Sequence, residues 1–304
     1  MNKFVCLLFG IGFSFLSYSQ SNRLVDSFIS SAENLYSDGY TSKSIKTYET
    51  VLPLISDSSS QFGQIALKLF SYYLQSGNEI TALHYYDKLI SSHVDDRDIR
   101  TDVVNEPYQN YRYRATKELA NYLFINKQYA RSAEYLDIAE YYTPYYTTSL
   151  SRYKAEKIGL ALLKKQVYDV KNKQDSAMYY LLKRALEYDY KDQFPNYTTD
   201  NFCPEEKEIN EQILAYFPFD NTLASFKTEL STAIQNLEFR KNEKTTKIKL
   251  ELRGMRYILV VNSLKETKED CINYIRQSPF WVLLEKKLPS KKEQEVPAEE
   301  KKAE

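Results

Sequence analysis

The chain has 304 residues, enough for two ordinary domains and a substantial core, and its 41 Lys+Arg exactly balance its 41 Asp+Glu. That balance excludes a global field drawing the protein onto nucleic acid or an anionic membrane. Only 7 residues are glycine, about a third of the usual ~7%. Gly10 and Gly12 fall in the N-terminal apolar run, and the others do not cluster into a phosphate-cradling loop or a nucleophile elbow. Tyrosine is abundant, at 28 residues.

In chain order, Lys3 precedes an apolar run of thirteen residues, Phe4 to Leu16, followed by Ser17-Tyr18-Ser19. A positive start, a short apolar stretch and small residues at the cleavage positions read as a signal peptide over residues 1–19, cut after Ser19. The run is short of the ~20 residues a membrane-spanning helix needs. Cys6 stands at its start, where lipidation is not expected. No later stretch has 18 consecutive apolar residues, so the expectation is an exported chain without a transmembrane segment, in the periplasm or on the cell surface of a bacterial envelope. Cys203 and Cys271 then remain. A disulfide between them would close a loop of about 70 residues and contribute on the order of 4 kcal/mol; the alternative is two buried thiols.

Residues 20–192 read as helices. From Ser21 to about Tyr190 the apolar spacing is three and four, and the breaks at Ser37-Asp38-Gly39, Ser76-Gly77-Asn78 and Asn126-Lys127-Gln128 are short. Aligning Gly39, Gly77 and Lys127 superposes Ser44, Ala82 and Ser132, then Tyr48, Tyr86 and Leu136, then Val51, Leu89 and Ala139, with Pro144 closing the third unit. Upstream it superposes Ala32, Phe70 and Ala120, then Leu35, Tyr73 and Leu123. A small residue where helices cross lets their axes approach, and a large one a turn away fills the gap.

This pattern, carried by Tyr40 to Val51, Gly77 to Tyr86 and Tyr129 to Ala139 with Pro144, resembles the tetratricopeptide repeat family. A fourth, degenerate unit runs from Tyr153 to Glu187, with Ala177 and Ala185 on its second helix. The units start 38 and then 50 residues apart, against a family period of about 34; His93 to Arg114 reads as an insertion. The resemblance implies a mainly α fold, an antiparallel helix-pair solenoid with a concave face lined by first helices. It also implies scaffold or adaptor work on a protein or extended peptide. Carried onto this chain, Asn34, Ser71, Lys117 and Asn121 are the concave candidates.

Residues 193–284 form a different region. Gln193 to Pro204 reads as a proline-bounded linker, and helices are predicted over Glu205–Phe217 and Asn221–Arg240. Thr246 to Leu252 alternates with period two, Arg253-Gly254 offers a turn, and Met255–Val261 reads as a second strand, giving a β-hairpin in a small α+β region. A long helix across Gly254 is the alternative. Residues 285–304 are rich in Lys, Glu and Pro and read as a disordered charged tail.

Candidate chemistry is sparse. The two histidines, His84 and His93, lack the Cys or His neighbours of a closed metal site, and Asp95, Asp96 and Asp98 lack the spacing of a calcium loop. No metal, cofactor or catalytic residue is assigned. The tyrosine clusters offer more: Tyr111 and Tyr113 interleave with Arg112 and Arg114, and Tyr141 and Tyr142 open a run to Tyr146. Such residues anchor protein interfaces and also stack on sugar rings. The reading is an exported, non-enzymatic scaffold that binds a protein or peptide and not nucleic acid; a tyrosine-rich glycan-binding surface protein and a hydrolase-type enzyme are the alternatives.

Overall fold

The computed structural model describes residues 23–97, 109–142, 149–188, 204–261 and 263–288. The signal segment, Pro144, Cys203, the tail from 289 and the linker residues 193–203 lie outside them.

The sequence first builds helical hairpins. α1 (residues 23–37) leads to α2 (Thr41–Val51), α3 (Ser60–Gln75) to α4 (Glu79–Ser91), α5 (Tyr111–Ile125) to α6 (Tyr129–Tyr141), and α7 (Leu150–Val170) to α8 (Gln174–Leu186). Each turn contains one residue in the left-handed region: Gly39 (φ 83°), Gly77 (78°), Lys127 (61°) and Asn172 (53°). In three turns the following N–H reaches the carbonyl five residues back, Tyr40 to Leu35 at 2.8 Å, Asn78 to Tyr73 at 2.9 Å and Lys173 to Tyr168 at 2.9 Å. That bond satisfies a carbonyl which the ended helix would leave bare. Ser59, Asn78 and Ser149 cap α3, α4 and α7 by accepting a backbone N–H three residues ahead.

Five residues beyond each left-handed position a small side chain is fully buried: Ser44, Ala82, Ser132 and Ala177, each 0% exposed. The Ser44 hydroxyl is satisfied by donating to the Ala32 carbonyl at 2.7 Å, which ties α2 to α1. Tyr48, Tyr86, Leu136 and Leu181 are buried four residues later, and Ala32, Phe70, Ala120 and Ala139 are buried too. Phe70 and Tyr86 meet with ring centroids 5.9 Å apart, part of the seam between α3 and α4.

The residues fall into two compact units. The first runs up to Asn126 and takes in α6 from Asp137; the second contains Lys127–Leu136 and the chain from Thr147. In the first, α3 is central, packing on α2, α4 and α5. Arg112 fastens the segment after α4: its guanidinium donates to the Ser92 carbonyl at 2.6 Å, the Val94 carbonyl at 3.0 Å and the Asp96 carboxylate at 3.3 Å. The expected insertion therefore ends earlier, because Tyr111–Arg114 form the first turn of α5.

In the second unit α7 and α8 share one hydrophobic core with α9 (Pro204–Leu214), α10 (Asp220–Gln235), a sheet, α11 (Lys268–Arg276) and α12 (Pro279–Lys287). The sheet is antiparallel, ordered β1 (Glu238–Lys241), β2 (Thr246–Leu252), β3 (Met255–Val261). One face, with Ile248, Leu250, Leu252, Tyr257, Leu259 and Val261, is buried in that core; the other is open to solvent.

The predicted hairpin is present, and a strand joins it. The helix predicted over Asn221–Arg240 stops at Gln235, because Glu238–Lys241 pairs with Lys249–Thr246 of β2. The tail was expected to start at Glu285, and its first residues are helical instead. Glu285–Lys287 form the last turn of α12, and Lys227 holds it by a 3.0 Å ion pair to Glu285 and a 2.6 Å hydrogen bond to the Leu288 carbonyl. Cys271 is a buried thiol whose pKa burial pushes up to about 11; its proposed partner Cys203 lies outside the described residues.

Candidate functional site

In the first unit, residues of α1, α2, α3 and α5 line a groove of about 400 Å³. α1 supplies Glu33, Tyr36 and Ser37; α2 supplies Ile45 and Tyr48. α3 supplies Leu67, Lys68, Ser71, Tyr72 and Gln75, and α5 supplies Arg114. The α3 positions 68, 71, 72 and 75 recur at three and four residues, so they form one stripe on a helix whose opposite side (Ala66, Phe70, Leu74) is core.

The buried part of the groove lining is Ile45, Tyr48 and Leu67, and polar side chains and the Tyr36 and Tyr72 rings stand around it. Lys68 Nζ lies 3.4 Å from Glu33 Oε1, donates to Tyr48 Oη at 3.2 Å and sits 5.2 Å from the centre of that ring. Ser71 Oγ donates to Glu118 Oε2 at 2.6 Å, and Gln75 Nε2 reaches the other carboxylate oxygen at 3.5 Å, so α3 and α5 are joined by hydrogen bonds. Arg114 is exposed, and among the described residues no acid pairs with it. Tyr36 is 59% exposed and Tyr72 is half-buried. Such a surface offers donors, acceptors and ring faces to an extended chain.

On the far side of α3, Tyr73 and Tyr85 stack at 5.8 Å with planes 9° apart, and both hydroxyls donate to Glu49 Oε1, at 2.8 and 3.1 Å. Desolvation, then the bond to Glu49, pushes the Tyr73 pKa up to about 12. This cluster ties α2, α3 and α4 together.

Of the residues proposed for partner binding, Ser71 lines the groove. Asn34 and Asn121 are exposed on α1 and α5, and Lys117 lies half-buried with its ammonium 5.8 Å from the Tyr113 ring centre. Tyr111 and Tyr113 are corrections. They are 1% and 2% exposed, filling the core beside α3, and Tyr111 donates to the Ser60 carbonyl at 2.9 Å. Their alternation with Arg112 and Arg114 reflects a helix start that turns two tyrosines inward. Tyr141 is 81% exposed, and it meets Tyr142 with planes crossed at 71°. Two crossed rings make no flat platform for a sugar, and Tyr145 and Tyr146 lie outside the described residues. The signal for Lys68, Tyr72, Gln75 and Arg114, which the sequence reading left out, is the polar stripe opposite the apolar stripe on each first helix.

Elsewhere, His93 Nδ1 lies 2.8 Å from Asp57 Oδ2, but both side chains are more than half exposed. His84 packs edge-on to Tyr85. Among the described residues no group of three His, Cys, Asp or Glu side chains could hold a metal ion, and no helix is long and apolar enough to cross a membrane.

These features define a mainly helical protein of antiparallel hairpins with a small three-stranded sheet. No family model and no curated protein matches the chain. A solved structure of PilF from Pseudomonas aeruginosa is matched over 69% of this chain and 99% of that one, at 13% identity and a TM-score of 0.23. So loose a superposition carries no argument about this chain.

Proposed function

We propose that this protein is an exported, non-enzymatic helical-repeat scaffold, built on tetratricopeptide-like hairpins stacked as a solenoid, that binds an extended segment of another protein. The observation that carries the reading is the groove in the first unit, where α1, α2 and the exposed stripe of α3, with Arg114 of α5, turn polar and aromatic side chains toward one channel. A channel of this kind can hold a peptide by backbone hydrogen bonds to Ser71 and Gln75 and by contacts with the Tyr36 and Tyr72 rings. Export rests on the N-terminal apolar run alone, which suits a role in the periplasm or on the cell surface.

Photo-crosslinking in the native envelope tests the reading. A crosslinker at Tyr72 or Tyr36 should capture a defined protein that one at Ile80, 86% exposed on α4, does not. Lys68→Ala with Arg114→Glu should abolish that capture while leaving the fold intact. The same captured set from groove and control positions would sink the proposal.

A further inference from the structure

Among the described residues no strand pairs with the outer edge of β1 or of β3, and the two edges differ. β1 is four residues long and carries Glu238, Arg240 and Lys241, the last paired with Glu266 at 2.6 Å. Short length and charge make a strand a poor template for further pairing. β3 is seven residues, MRYILVV, with one charge and two open apolar side chains, Ile258 and Val260, 44% and 42% exposed. An exposed strand of this composition is the kind that pairs with another chain.

The turn decides which β3 groups face outward. Arg253 (φ 50°) and Gly254 (φ 72°) form a two-residue hairpin turn, closed by the hydrogen-bonded pair Leu252 and Met255. Pairs alternate along an antiparallel ladder, so Arg256, Ile258 and Val260 direct their N–H and C=O groups away from β2. One of these groups is occupied: the Val260 N–H donates to Glu187 Oε1 at 2.8 Å. Glu187 is 6% exposed, and its other oxygen is held by Arg184, itself largely buried. The next residue is anchored as well, since Tyr188 stacks on Tyr274 at 4.9 Å and donates to its backbone carbonyl at 3.1 Å. A buried carboxylate thus stands where the carbonyl of a fourth strand would stand.

We infer that Glu187 is a plug on the β3 edge, and that this edge, once unplugged, takes a second copy of the same strand. The occupant follows from symmetry. Antiparallel pairing about a two-fold centred on Ile258 sets Ile258 against its own copy, and it places Arg256 opposite Val260, so the two isoleucines meet and the arginines stay apart. With Glu187 in place, its carboxylate and the Arg184 that holds it fill the space of that strand at Val260.

Hydrogen exchange on the full chain gives the first test, since it needs no variant. The Val260 amide should exchange on the order of tenfold more slowly than the Ile258 amide, although both lie on the same edge. Equal rates would overturn the plug. In the second test Glu187→Ala should produce a concentration-dependent dimer by light scattering, while Glu187→Gln, whose amide oxygen still accepts from Val260, keeps the wild-type mass. Adding Ile258→Lys to Glu187→Ala should restore the wild-type mass by setting two lysines against each other. A Glu187→Ala variant with unchanged mass, or a dimer that Ile258→Lys leaves intact, would refute the pairing.

Discussion

Replacing Arg112 by Ala removes the clamp on the segment after α4. Three hydrogen bonds are lost within 3.3 Å, two to backbone carbonyls and one to Asp96, and both members of the ion pair are only 16% exposed. Removing one partner of a buried pair costs about 3–5 kcal/mol, mostly because the other charge is left buried and unpaired. The pair here keeps some contact with water, so about 3 kcal/mol is expected at neutral pH. Burial already raises the Asp96 pKa above the usual carboxylate range, and Arg112 is the main group that pulls it back. Without Arg112 the folded-state pKa rises further. A carboxyl whose folded pKa lies above its unfolded value destabilises the fold as pH rises between the two values. The part of the penalty that comes from the stranded carboxylate should therefore be small near pH 4 and grow as pH rises toward 7, on top of a pH-independent loss from the two bared carbonyls. Urea unfolding of the variant across this range measures it. Asp96→Asn in the same background should recover a large part of the loss, since it removes the stranded charge. A loss below about 1 kcal/mol at pH 7, a loss independent of pH, or an Asp96→Asn change that adds to the loss would refute the reasoning.

Other substitutions probe the same unit. Gly63→Ala places a Cβ 2.7 Å from the Tyr111 ring, which is locked in the core. Overpacking costs about 1–3 kcal/mol, partly offset by about 1 kcal/mol of helix propensity, so thermal unfolding should show a net loss and Tyr111→Leu should relieve it. Gly77→Ala meets no atom within 4 Å, so its cost is backbone strain alone, about 1 kcal/mol net by denaturant titration. Tyr73 should not ionise until about pH 12, as followed by phenolate absorbance. Its unfolded pKa is near 10, so the fold loses stability as pH rises from about 10 toward that value. Glu49→Gln should bring the Tyr73 titration down.

The hairpins were legible in the chain because their signals are local. Gly39, Gly77 and Lys127 mark turns that need a left-handed residue, and the small residue five positions on must be buried wherever two helices cross. The strands of the hairpin at Thr246–Val261 were legible for the same reason, through a two-residue alternation that one buried face imposes. The tyrosines were not. Whether Tyr111 and Tyr113 face core or solvent depends on the phase of α5 against α3, and Tyr is compatible with either. The groove was half legible: Ser71 was picked out, while Lys68, Tyr72 and Arg114 required knowing which sides of three helices meet.

The sequence by itself determined the helical pairs, their turns and their packing residues, because turn chemistry and hydrophobic period act over a few residues. Only the tertiary structure decided that α10 yields to β1 after Gln235, since strand pairing comes from residues 246–249, five to eleven positions beyond their partners. It also decided that α7 and α8 join the C-terminal core and that Glu187 lies on the edge of a strand 73 residues away. Such contacts are made by burial and hydrogen bonding between segments far apart in the chain, and no local pattern of residues encodes which distant partner completes them.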